Sequence, residues 1–579
     1  MALFQIWIAV LLPLLLETTC ALPPPCHSPI YCSGALLKQV QLAKLFDDDK
    51  HFVDMKLKEP PEKVLSAFHN LTSGAPGGKA SVAQLREFLD SFFEAPGQEF
   101  EPWTPADWHS GPQFLERISD PSLRSWAAEL HALWKSLGRK VRADVKNHPE
   151  LYSQIYTPNP IIVPGGRFRE LYYWDSYWVI NGLLLSEMKD TARGMIDNFF
   201  HLVRRYGFIP NGGRVYYEQR SQPPFLTLMV ESYYQSTLDK EFLRGAVDLL
   251  EQEYLFWMRN RSVSIEIQGA LHTLNQYSVQ AGEPRPESYS DDWELAEGLT
   301  EAGKQAIWAE LQSGAESGWD FSSRWFIDGE GQNRGTLRDT RTRLIVPVDL
   351  NALLCRNERT IASFHRTLGN LEVAEQFELA LKNRVKAVRA VFWDELLGAW
   401  FDYSLQTNSS HQAFYPSNLA PLWAQCFSEP SAGERALRYL QDSGMLGYRN
   451  GVPTSQMESG EQWDYPNAWP PLQLMIIEGL MKLSSEKAEK VTFDLAQKWI
   501  RTNWAAYQRD KAMFEKYDVN GDGKPGGGGE YDVQLGFGWT NGVALQLLNQ
   551  FGGQLTSGCP PLHTCLLVWL VSATLVFFM

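Results

Sequence analysis

The chain has 579 residues, 44% of them hydrophobic, and a formal net charge of −15. That is ample material for a large core, and the acidic balance argues against a nucleic-acid partner. Length alone suggests three or four domains, and the 21 tryptophans fit either a heavily aromatic core or stacking on carbohydrate.

Residues 1–21 carry the apolar run IWIAVLLPLLL, then small residues at Thr18, Thr19 and Ala21. They read as a secretory signal peptide, although no charge precedes the run. Residues 22–113 read as an N-terminal extension wrapped on the main body. It has an amphipathic helix over 34–46, a short helix from Ser81 to Glu94, and a surface loop, GAPGG, at 74–78. From about Leu115 helical patterns dominate. The spacing predicts helices over 115–138, 169–186, 189–206, 224–235, 238–260, 297–313, 347–366, 369–391, 417–427, 432–443, 470–483, 485–508 and 537–550, with few strand-like runs. Such a pattern suits an α/α toroid and an irregular helical bundle equally.

The tail CLLVWLVSATLVFFM, residues 565–579, is apolar but shorter than the roughly 20 residues a span needs, and no basic cluster follows it. With Ser557, Gly558 and Cys559 upstream, residues 557–579 read as a GPI-attachment signal with Ser557 as the attachment residue. The alternative is a C-terminal transmembrane tail. Setting both terminal signals aside leaves Cys26, Cys32, Cys355 and Cys426. Cys26 and Cys32 are close enough to close a small loop, while a Cys355–Cys426 pair stays open. No Cys/His spacing suggests zinc. Sequons at Asn70, Asn260 and Asn408 fit a secreted glycoprotein.

Two stretches carry the chemistry. In Pro164–Trp178, PGGRFRELYYWDSYW, a glycine turn leads into a run where Glu170, Trp174, Tyr177 and Trp178 share one helical face. Its mix of arginine, carboxylates and aromatics offers flat faces for sugar C–H groups and forks for hydroxyl pairs, although a buried aromatic helix explains it as well. The other stretch is QWDYPNAWPP, Gln462–Pro471. The first resembles the first signature of the trehalases, glycoside hydrolase family 37, and the second resembles their second signature. The likeness covers roughly residues 35–550. It implies an all-α (α/α)6 barrel with one catalytic domain, 114–556. It further implies hydrolysis of α,α-trehalose to two glucose molecules by single-step inversion, with no metal or organic cofactor. The sequence leaves the oligomeric state open, a homodimer being one option.

Glycoside hydrolysis normally takes two carboxyl groups, one protonated and one ionised. Carboxylates in Gly- and Trp-rich loops are the natural candidates. Asp320 lies in ESGWDFSSRW, residues 316–325, between Trp319 and Phe321, where aromatic burial would raise its pKa; an ion pair with Arg324 is the plain alternative. Residues 515–541 hold four consecutive glycines, Gly526–Gly529, that read as a flap or a linker. Asp518, Asn520, Asp522 and Gly523 there imitate a calcium loop, but its twelfth position falls on Gly529 rather than Glu.

The resemblance assigns Asp320 as general acid and Glu515 as general base. It assigns Arg167, Trp174, Asp175, Asn211, Arg220, Ser221, Gln222, Arg285, Pro286, Glu287, Gly318 and Glu530 to substrate binding, and leaves Trp463, Asp464 and Trp469 as lining or structural. Two rival readings remain: a related glycosidase for another disaccharide, and a surface lectin that has lost catalysis.

Overall fold

The structure, a computed structural model, describes residues 22–558. The expected signal peptide and most of the expected lipid-attachment signal lie outside these residues. Twelve helices form the body. They are α1 (Pro121–Leu137), α2 (Asp175–Leu185), α3 (Lys189–Tyr206), α4 (Leu226–Thr237), α5 (Lys240–Asn260), α6 (Val348–Leu368), α7 (Leu371–Phe392), α8 (Ala420–Ala424), α9 (Ala432–Asp442), α10 (Pro470–Met481), α11 (Glu486–Asp510) and α12 (Gly538–Phe551).

The even-numbered helices pack in a closed ring, α2 on α4, then α6, α8, α10, α12 and back to α2. The odd-numbered helices lie outside them, so this is the expected α/α toroid. Sequence character decides which ring a helix joins. In α10 and α12 buried residues run almost unbroken, as an inner helix with neighbours all round requires. In α3 the buried residues Ala192, Met195, Ile196, Phe199 and Val203 recur at helical spacing and leave the other face to water. The tightest inner contact is α2 against α12. A Cβ on Gly542 would lie 2.1 Å from the Trp178 carbonyl oxygen, and one on Gly182 would lie 3.0 Å from Gly542 Cα.

Connections alternate in length. Outer-to-inner links run over 138–174, 207–225, 261–347, 393–419, 443–469 and 511–537; inner-to-outer links are 186–188, 238–239, 369–370, 425–431 and 482–485. The long loops therefore gather at the N-terminal ends of the inner helices, where loops have room to carry side chains into the ring.

Four places differ most from the sequence reading. The helix expected over 115–138 begins only at Pro121, after a 3-10 turn at Gln113–Arg117. The helix expected over 169–186 begins only at Asp175, so Glu170 is not on its face. The helix expected over 417–427 shrinks to Ala420–Ala424 behind a single 3-10 turn, Pro416–Leu419. A hairpin, Ser262–Ile267 paired with Ala270–Asn275, stands where only loop was expected.

The N-terminal region has its own apolar cluster around Phe52, Phe68, Phe88 and Phe93, and Tyr216, Tyr217 and Tyr289 from the long loops complete it. Phe100–Pro102 pairs with Gly138–Val141, joining the region to the body by a sheet. A buried charge network seals the joint. Lys50 Nζ contacts Asp54 and Glu170 at 2.6 and 2.8 Å, and Arg214 reaches Glu99 at 2.5 Å and Glu170 at 3.2 Å. Disulfides join Cys26 to Cys32 and Cys355 to Cys426.

Candidate active site

Two cavities lie along the ring, and Trp174 borders both. The inner one is walled by Tyr177, Trp178, Phe225, Leu353, Trp423 and Leu472. Its acids are already engaged: Asp349 with Arg324, and Glu478 with the Trp423 indole. The outer one, about 650 Å³, opens among the long loops and gathers charged groups from four of the six, with Trp463 and Trp469 from a fifth. Convergent polar groups in a concavity mark it as the site.

Asp320 follows the helix Glu301–Glu316. Gly318 shapes the turn before it: φ is +74°, and a Cβ there would meet the Trp174 ring at 2.7 Å. Trp319 and Phe321 beside it are buried. Trp319 stacks on Trp463 at 5.4 Å, and Trp463 stacks parallel on Trp469 at 3.8 Å. Trp463 and Trp469 thus line the cavity and also support the acid segment. Asp464, left open by the sequence, is structural: it accepts from Ser322, Ser323 and Ser459 and pins the chain after Asp320. Arg324 pairs with Asp349 and Asp402, not with Asp320. Among the described residues no other residue donates a hydrogen bond to the Asp320 carboxyl. Burial pushes this group up to about 7, against the pull of Arg285 and Arg220.

Glu515 enters from the 511–537 connection and is buried. Tyr531 donates to its Oε1 at 2.9 Å, and Lys516 Nζ stands 3.5 Å from its Oε2. Pairing of Tyr517–Asp518 with Asn467–Ala468 ties this segment to the second tryptophan motif. Lys516 also donates to Gln462 Oε1 at 2.6 Å, and Gln462 Nε2 donates to the Asp320 carbonyl at 2.5 Å. One glutamine thereby straps the two carboxyl-bearing segments together. The glycine run, read as a flap or a linker, is anchored: Gly527 N donates to Asn467, and Gly529 N donates to the Gly460 carbonyl.

The remaining lining is a lattice of charge-assisted bonds. Arg220 donates to Asn211 at 3.0 Å, to Gln312 at 2.8 Å and to Glu287. Glu287 keeps its Oε2 buried with no partner, an acceptor available to a ligand; burial would raise its pKa, but Arg220 and Arg285 hold it below the usual value. Arg285 grips Asp292 at 2.5 Å and Glu530 at 2.6 Å, and Ser288 donates to Glu530 at 3.0 Å. Gln222 accepts from Trp174 N at 3.0 Å. Asp175, at the start of α2, is pushed up to about 8 by burial, with Glu515 and Asp320 adding to the rise.

The cavity therefore brings together Arg167, Trp174, Asp175, Asn211, Arg220, Gln222, Arg285, Glu287, Gly318, Asp320, Glu515 and Glu530. Ser221 and Pro286 stand behind it. Ser221 N donates to Glu316 and its hydroxyl donates to the Ile209 carbonyl; the Pro286 carbonyl accepts from Gln41. Glu316 is engaged by both forks of Arg261 at 2.8 Å. Sequence reasoning missed Tyr531, Gln462, Trp539 and the N-terminal Asp48. Tyr531 had a weak signal, as the residue after Glu530 in GGGGEY.

The trehalase family model matches residues 44–552. The chain belongs to the trehalase family. It is 54% identical to the trehalase of Homo sapiens over 555 residues, covering 96% of this chain and 95% of that one. It is 46% identical to the trehalase of Apis mellifera over 92% of this chain and 86% of that one. Among solved structures it resembles neutral trehalase from Saccharomyces cerevisiae, with 26% identity and a TM-score of 0.54 over 67% of this chain and 73% of that one. The chain is accordingly a glycoside hydrolase, and its reaction is the hydrolysis of trehalose. The match begins at residue 44, so it takes in most of the N-terminal region as well as the ring.

Proposed function

We propose that the chain hydrolyses α,α-trehalose by single-step inversion, with Asp320 as general acid and Glu515 as general base. One observation carries the reading: of the carboxyls in the cavity, Asp320 stands in an aromatic setting with no donor from another residue, whereas Glu515 is held by Tyr531 with Lys516 beside it. Asp320, holding its proton to about pH 7, passes it to the bridging oxygen as the glycosidic bond breaks. Water attacks the anomeric carbon from the opposite face, and Glu515 takes the proton it sheds. This needs carboxyls roughly 6.5–9.5 Å apart, leaving room for the water. Arg167, Trp174, Asp175, Asn211, Arg220, Gln222, Arg285, Glu287, Gly318 and Glu530 hold the two glucose units, while Ser221 and Pro286 order the loops behind them. Trehalose is uncharged, so hydrogen bonds and aromatic faces set its selection.

Proton NMR of trehalose hydrolysis from the first minutes tests the mechanism. One β-glucose and one α-glucose appearing together support inversion. Early α-glucose alone means retention and recasts one carboxyl as a nucleophile. A place on the outer cell surface, through a lipid on Ser557, is supported by the sequence at both ends. It predicts release of activity from intact cells by a phosphatidylinositol-specific phospholipase. Activity that stays with the cells after such treatment overturns it.

A further inference from the structure

Glu515 must present one oxygen to water and keep it free. Its Oε1 is taken by the Tyr531 hydroxyl at 2.9 Å, whereas Oε2 has only contacts of 3.5 Å, with Lys516 Nζ and Gln534 N. Oε2 is thus the oxygen left to receive the proton. The Tyr531 ring is itself clamped. The Arg167 guanidinium lies 4.6 Å from its centroid, and Phe168 meets it edge-on at 5.4 Å. Arg167 is fixed in turn by a two-pronged pair with Asp48, at 2.8 and 2.7 Å, and by its backbone N–H on Gln534 at 2.7 Å. A cation on a phenol face attracts the ring's electrons and sharpens the hydroxyl as a donor. Burial, with Glu515 and Asp320 adding, holds Tyr531 well above its usual pKa, so it stays a donor throughout the working range.

We propose that Tyr531 positions Glu515 for its task as base, and that Asp48 of the N-terminal region holds Tyr531 in place through Arg167. This rests on the acid–base reading above and gives Arg167 a duty besides contact with sugar. It also gives the N-terminal region a share in the chemistry. The charged groups facing Glu515 are Lys516 on its own segment, Asp175 on α2, Asp320, and Arg167 across the tyrosine ring. None of these is altered by removing the Tyr531 hydroxyl oxygen, which deletes only its bond to Glu515.

The test compares Tyr531→Phe, Asp48→Asn and Glu515→Gln in the full chain, by kcat, KM, pH profile and thermal midpoint. Tyr531→Phe should lower kcat about ten- to a hundredfold with KM within about twofold, because the lost bond serves the reacting step rather than binding. The acidic limb of its profile should move to higher pH, since the lost donor favoured the ionised base. Asp48→Asn should move the limb in the same direction by less. Parental kcat and an unmoved limb in Tyr531→Phe overturn the proposal. Lower stability with an unmoved limb in Asp48→Asn makes Asp48 purely structural and overturns that half. Near-parental activity in Glu515→Gln would instead sink the acid–base reading itself.

Discussion

Asp320 and Glu515 enter one cavity from segments built on opposite lines. The Asp320 segment is dry and stiff: Trp319 and Phe321 flank it, stacked indoles back it, and its neighbours' hydroxyls are spent on Asp464. The Glu515 segment is polar and wired, with Tyr531 on one oxygen and Lys516 near the other. Burial keeps the proton on Asp320, while the Tyr531 bond fixes which oxygen of Glu515 is left free. Two chemically similar side chains thus take complementary roles because the folds around them differ.

The strongest way to break this contrast is to remove either partner. Asp320→Asn and Glu515→Gln should each cut kcat by about 10²–10⁴-fold with the fold intact, read by steady-state kinetics and circular dichroism. In the parent, kcat/KM should fall as pH climbs through about 7, where Asp320 loses its proton. Stability offers an independent check. A folded pKa near 7, above the ordinary 3.8, means stability that is full below about 4 and lost as pH rises through 7. Asparagine cannot ionise, so the melting temperature of Asp320→Asn relative to the parent should rise between pH 5 and pH 8. A flat difference would show that Asp320 is not held protonated.

Next in size is the close approach behind the acid. Gly318→Ala forces a left-handed backbone onto a residue with a Cβ and drives that atom into the Trp174 ring. The strain should cost about 1–3 kcal/mol, with kcat about ten- to a hundredfold lower as the segment shifts. Arg285→Gln sharpens the electrostatics more gently. Arg285 pulls Asp320 downward, so its loss should move the alkaline limb of kcat/KM to higher pH while KM rises through the lost sugar contacts. A limb that moves down, or stays, would mean that Arg285 and Asp320 do not sense each other.

Much of this was legible in the chain, for reasons that can be located. Helices such as Lys189–Tyr206 announce themselves by periodicity, and the two motifs mark the segments that meet at the cavity. The late start of α2 was not legible. Glu170 fits the helical face by spacing, yet it is drawn into the pairs with Lys50 and Arg214, partners far away in sequence. The same limit hid Asp48 behind Arg167 and Gln462 behind Asp320. Spacing tells which residues share a face, but only the fold brings such pairs together. Spacing also does not tell that Ser221, between Arg220 and Gln222 that line the cavity, turns its hydroxyl inward to Ile209. The hairpin Ser262–Asn275 did carry a signal, alternation around Gln268–Gly269, both at positive φ as a tight two-residue turn requires.

The smallest expected effect on activity comes from a change that spares both segments. The Cys355–Cys426 bond ties α6 to the chain just past α8 and closes a loop with a sequence separation of 71. Neither cysteine lines the cavity. Cross-linking of that span stabilises by about 2–4 kcal/mol, chiefly by restricting the unfolded chain. The double change Cys355→Ser, Cys426→Ser should therefore lower the melting temperature by several degrees. It should leave kcat and both limbs of the pH profile within about twofold of the parent, because neither carboxyl's surroundings alter. If the limbs moved with stability, the contrast between the two carboxyls would reflect the rigidity of the whole ring. If they stay, it belongs to the handful of side chains around Asp320 and Glu515.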